Sequence, residues 1–169
     1  MSAEYSELVA FKEEFDKACA KREADIEKAV LEMADYLIAT VTPLTPVYAP
    51  KEINGHMYHA YDNGSKRTGG DLRKHWADDN KNLSVRRVGN DYVVKVVNNS
   101  EYAQYVEEGH KQNVGQKFPV FIDGKVRMVA RKKAYVQGQH FLRKAETKLR
   151  RKAPSILNVH VSDFMGGTV

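Results

Sequence analysis

Cysteine occurs once in these 169 residues, at Cys19, which excludes an intramolecular disulfide and any zinc site built from cysteines. A reducing cytoplasm fits that usage, and a thiol at this place in an apolar helical pattern is expected to be a small core residue. Long apolar runs are missing too. No stretch approaches the roughly 20 residues that cross a bilayer. The N-terminal MSAEYSELVAFKEEF is acidic where a secretion signal is basic and then apolar. Phosphate-cradling loops are absent: Gly69-Gly70 precedes a short helix, but no Walker-type lysine or GxGxxG accompanies it. No serine or cysteine stands in a nucleophile signature. No enzyme activity, cofactor, metal or membrane contact is therefore expected.

Acidic residues become scarce along the chain. Positions 1–41 hold ten acids and five bases, a balance of −5, whereas 125–152 hold eleven bases and the single acid Glu146, a balance of +10. Within an overall charge of +5 the two ends are opposite in sign. That polarity fits three readings: contact with nucleic-acid phosphates by the basic end, self-association of unlike ends, or two solvated helix faces.

What is present is a clear helical period. Leu8, Phe11, Phe15, Ala18, Cys19, Arg22, Ile26, Ala29, Val30, Met33, Leu37 and Val41 recur at three- and four-residue intervals without an intervening proline or glycine. They predict one helix over 5–41, ended by Thr42-Pro43 and Thr45-Pro46. Such a helix is about 54 Å long, more than the roughly 32 Å diameter of a domain this size. Either its first turns overhang the body and pack on something else, a neighbouring subunit being the obvious candidate, or the helix breaks.

Residues 42–68 read as an extended loop or flap. A short helix follows from Gly70-Asp71 with Leu72 and Trp76. Leu83–Val88 and Tyr92–Val97 predict a hairpin, its second strand apolar on both parities and so expected to be central and covered on both faces. Phe118–Ile122 and Lys125–Ala130 predict another around Asp123-Gly124, a type I′ turn, with Val126, Met128 and Ala130 inward. Gly138-Gln139 introduce a C-terminal helix with Leu142, Ala145 and Leu149 on its buried stripe. Pro154 starts a further turn or two, and the final GGTV is expected to be unstructured. The sum is a single α+β domain over 1–169. Its long N-terminal helix (5–41) and C-terminal helical region (138–164) pack on a mostly antiparallel four-stranded sheet, and 69–137 supply short helices and hairpins.

The densest segment is NNSEYAQYVEEGH, from Asn98 to His110. It sets Tyr102, Tyr105 and Val106 on one side of a short helix, with Glu101, Glu107 and Glu108 opposite, and Gly109 stops it. Its tyrosines suit burial against the sheet or a subunit contact. TGGDLRKHW precedes it, with Leu72 and Arg73, and YVQGQHFLRKAE follows, with Gly138, Phe141, Arg143 and Lys144. This ordered trio resembles the tail-completion (head–tail joining) proteins of long-tailed bacteriophages and prophages, over roughly Val41 to Leu149. In that family a proline segment runs almost directly into TG; here KEINGHMYHAYDNGSKR intervenes.

The resemblance implies a structural virion protein with no catalytic residues. It would form a ring, with six-fold order, at the tail end, and contact the tail tube protein and the head–tail connector. It would be assembled in the host cytoplasm and reside in the virion tail or neck. Its signature and interface candidates are Leu72, Arg73, Asn98, Tyr102, Tyr105, Glu107, Gly109, His110, Gly138, Phe141, Arg143, Lys144 and Lys148. Two rival readings rest on other residues. Arg131–Lys133, Arg143, Lys144, Lys148 and Arg150–Lys152 suit non-specific DNA-phosphate contact, with too few aromatics for base stacking. His56, His59 and Asp62 offer metal-ligating groups if their segment is helical, and His110 beside Glu107-Glu108 offers an acid–base pair.

Overall fold

A computed structural model of the protein describes residues 3–62, 65–66 and 69–165. Asn63-Gly64, the threonine of the TG motif and the GGTV tail lie outside the described residues. The chain is α+β: a long N-terminal helix, a C-terminal helix and a four-strand antiparallel sheet, with further short elements.

The elements in order are α1 (Ala3–Leu44), β1 (Lys51–Ile53), β2 (His56–Asp62), β3 (Ser65–Lys66), α2 (Asp71–Asp78), β4 (Val85–Val88) and β5 (Asp91–Val94). After them come α3 (Ala103–Glu108), β6 (Gly109–Lys111), β7 (Lys117–Ile122), β8 (Lys125–Ala130), β9 (Tyr135–Gln137) and α4 (Phe141–Met165). The main sheet has the order β1-β2-β7-β8, with the two-residue β3 against the end of β2. β4–β5 and β6–β9 are separate antiparallel pairs. Among the described residues no helix is long and apolar enough to cross a membrane.

Two compact units emerge. One comprises the described residues up to Leu37, Asn82–Val96 and those from Thr147 on; the other is Ile38–Lys81 with Val97–Glu146. In the first unit, Ala29, Ala34 and Ile156 are buried, His160 Nε2 meets Glu32 Oε2 at 2.7 Å, and Arg87 pairs with Glu23. In the second, Val41, Leu72, Trp76, Phe141 and Ala145 are buried, with Val120 and Ile122 from β7. The Trp76 and Phe141 rings meet edge to face at 6.3 Å.

Both helices run past a proline that was expected to end or restart them: Pro43 lies in the last turn of α1, and Pro154 lies inside α4. At the end of α1, threonine hydroxyls take over the carbonyls. Thr42 Oγ1 donates to the carbonyl of Ile38 (2.7 Å) and Thr45 Oγ1 to that of Val41 (2.8 Å).

Four further expectations are corrected. The inserted stretch within 42–68 is not a loop throughout but strands β1–β3. Asn54 (φ 52°) and Gly55 (φ 77°) make a two-residue turn with both angles positive, and β2 then pairs along β7. The Tyr92–Val97 strand is not central. β5 is four residues in an isolated pair whose burial alternates, because a valine run records β-propensity and not coverage. Val126 and Met128 face outward, 48% and 59% exposed, since β8 is the edge of its sheet and the adjoining β7 supplies the buried Val120 and Ile122. Cys19 is exposed, as is every residue from Phe11 to Ala24, because among the described residues no element covers this part of α1. The expected type I′ turn at Asp123-Gly124 is present, with φ of 48° and 82°.

Thr45 is fully buried, and its hydroxyl also accepts the indole N–H of Trp76 at 2.8 Å. Thr45→Val leaves that N–H without a partner, which should lower stability by about 1–3 kcal/mol. Urea unfolding followed by fluorescence of Trp76, the sole tryptophan, measures it.

Candidate functional site

The residues of the three sequence motifs lie in the second unit, and polar bonds join them; the further candidate Lys148 lies in the first. α2 begins at Gly70, whose left-handed φ of 102° turns the chain into the helix, and Asp71 places negative charge at its positive end. Arg73 donates to the carbonyl of Thr45 at 2.8 Å and lies 3.4 Å from that of Pro43, so a guanidinium closes the C-terminal end of α1. Asn98 Nδ2 donates to the carbonyl of Leu72 at 2.9 Å. Tyr102 Oη donates to Asp71 Oδ2 at 3.0 Å.

Asn80 was not singled out from the sequence, yet it does the most stitching. Buried, it donates to the carbonyls of Trp76 (2.8 Å) and Val97 (2.7 Å) and accepts the N–H of Val97 (2.9 Å). A single side-chain amide thus serves Val97 as a neighbouring strand would. Asp79 accepts the N–H of Asn99 at 2.7 Å. That bond, with His75 adding to it, holds the Asp79 carboxyl below the usual carboxylate range.

The second junction joins α3 to α4. Glu107 turns away from Glu108 and accepts the backbone N–H of Leu142 (2.9 Å) and of Arg143 (3.1 Å), capping α4 from another element. The N–H of Gln139 donates to the carbonyl of Val106 (2.8 Å), and that of His140 to the carbonyl of Glu107 (3.1 Å). These bonds demand close backbones, and the two motif glycines permit them. A Cβ on Gly138 would lie 2.3 Å from the carbonyl oxygen of Glu107. One on Gly109, at φ 83°, would lie 2.4 Å from that of Val136. Gly109 also ends α3 and opens β6, which pairs with β9.

Most of the remaining candidates lie at the surface. Tyr105 is 57% exposed and not buried against the sheet; its ring meets His110 edge to face at 5.6 Å. The His110 ring faces Gln112 and Tyr105, and among the described residues no carboxylate bonds to it. Both oxygens of Glu107 are occupied by amides. Phe141 is core. Arg143, Lys144 and Lys148 are exposed on α4, and Lys144 Nζ donates to the carbonyl of Gln139 at 2.8 Å.

His56 and His59 sit three apart on a strand, which turns their rings to opposite faces and not to a shared one. His56 Nδ1 instead pairs with Asp123, whose carboxyl is held low chiefly by that contact. The motif residues therefore form a hydrogen-bonded framework with an exposed basic edge.

A family model described as "Bacteriophage HK97-gp10, putative tail-component" matches residues 9–109. The chain belongs to this family. As a member of the HK97-gp10-like tail components, it is a phage tail protein that works among other virion proteins. No curated protein and no solved structure gives a significant match. The tail-component match takes in Arg73, Asn98, Glu107 and Gly109; their spatial partners Gly138, Leu142 and Arg143 lie beyond it.

Two outcomes test the framework. Glu107→Ala should destabilise the protein by about 0.5–2 kcal/mol through loss of the cap. Gly138→Ala should cost more, because its Cβ meets a backbone carbonyl; urea midpoints rank them. Asp79, with its folded value depressed, contributes stability that is present above its ordinary value of about 3.9 and lost as pH falls through the folded value. The Tm gap between wild type and Asp79→Ala should therefore be widest near neutrality and shrink toward pH 2, as calorimetry across pH would record.

Proposed function

We propose that this tail component completes the phage tail and takes part in joining it to the head, acting by shape and without bond-changing chemistry. Identical subunits pack head-to-tail around an axis, a heterologous contact that closes into a ring when the rotation closes. The resemblance to tail-completion proteins gives six-fold order as the expectation, with the tail tube protein and the head–tail connector as neighbours. The site of action is then the tail or neck of the virion, after assembly in the host cytoplasm.

One observation carries the reading. The motif residues spend their polar groups on one another: Glu107 on the α4 amides, Arg73 on the end of α1, Asn98 on α2. Groups so engaged tie one element to the next, which suits a rigid building block. Unlike charge between the acidic 1–41 segment and the basic 125–152 segment steers neighbours together.

The exposed set Arg143, Lys144 and Lys148 favours a second reading, phosphate contact with DNA as an accessory role. Salt separates the two, because phosphate binding weakens steeply as counterions compete.

Charge reversal at Arg143, Lys144 and Lys148 to Glu should impair ring formation and leave the isolated fold intact by circular dichroism. Normal tails assembled from that variant would contradict the electrostatic part of the proposal.

A further inference from the structure

α1 carries apolar side chains that no described residue covers. Phe11 and Phe15 are 67% and 59% exposed, and their rings stack at 6.5 Å. Ala18 and Cys19 continue the same face at helical spacing, and both are exposed. Large apolar groups gathered on one stripe mark an interaction surface, whereas scattered single ones do not.

The second unit holds a cavity of the matching kind. The segment after α1 passes beside the sheet and leaves an open trough of about 490 Å³ between itself and β1, β2 and β7. Val47, Tyr48, Ile53, Tyr58, Phe118 and Pro119 line it. That volume lies within the roughly 300–1,000 Å³ of clefts that take bulky apolar groups. Val47 and Ile53 are 42% and 48% exposed at its mouth.

Charge pairs the two surfaces. Residues 4–16 hold five acids and one base, a balance of −4. Residues 117–133 hold six bases and the single acid Asp123, a balance of +5. Lys51 lines the trough itself, and the Arg131 guanidinium sits 5.5 Å from the centre of the Phe118 ring.

We propose that the Phe11–Phe15 face of α1 in one copy docks into this trough on a second copy, as an amphipathic helix laid in an apolar groove. The donor and acceptor surfaces are different, so the contact is heterologous, and each bound pair still offers one free helix and one free trough. It supplies the subunit contact that the ring reading requires, and it rests on that reading for its place in the virion only.

Self-association of the purified full chain tests it, by analytical ultracentrifugation at high micromolar concentration. Wild type should associate, less so in high salt. Phe11→Ser/Phe15→Ser removes the donor and Val47→Glu/Ile53→Glu the acceptor. Each should weaken association by roughly 100-fold or more, given two buried phenyl rings, with circular dichroism unchanged. An equimolar mixture of the two variants should give a one-to-one heterodimer and nothing larger, since one intact donor and one intact acceptor remain per pair. Monomeric wild type, variants that associate like wild type, or a mixture that stays monomeric would each overturn the docking. The presence of the wild-type chain in purified particles scores the tail-end reading separately.

Discussion

The carboxylate of Glu107 and the two amide hydrogens it receives from the start of α4 set the geometry on which the second unit depends. A helix N-terminus carries unpaired N–H groups and a partial positive charge, and an anion delivered from another element satisfies both. Delivery requires the chain at the end of α3 to touch the chain before α4. Only residues without a Cβ allow that approach, hence Gly109 and Gly138. The β6–β9 pair and the Gln139 and His140 amide bonds then follow as neighbours of the same junction.

A second polar junction fixes the other side. Arg73 closes α1, Trp76 bonds Thr45, and Asn80 and Asn98 tie α2 to the strand exit at Val97. The apolar core among these groups is modest, built on Val41, Leu72, Trp76, Phe141 and Ala145. Directional bonds do much of the positioning, and directional bonds specify one arrangement more narrowly than apolar packing of the same extent. The chain also leaves Phe11, Phe15, Val126 and Met128 uncovered. Narrow internal specification with uncovered apolar surface suits a protein that works inside an assembly.

Much of this was legible in the sequence. The period of α1, the Asp123-Gly124 turn and the stop at Gly109 are local signals, and the folded chain keeps all three. The α+β class followed from them. Errors arose where the outcome depended on distant partners. Valines at 92–97 announce strand preference, but only the folded chain shows that, among the described residues, β5 pairs with β4 alone. Val126 and Met128 alternate with charged residues as a buried face would, yet β8 lies at an edge. Asn54-Gly55 is itself a local hairpin signal, and the hairpin it makes stands where the inserted stretch reads as loop. Glu107 and Asn80 carry no local mark of their roles, because their partners stand 35 and 17 residues away.

The proposal that this tail component acts as a shaped block at the tail end is tested most directly by electron microscopy of particles assembled without it. The account predicts full heads separate from tails that are unjoined or overlong. Normal, joined and infectious particles would contradict it.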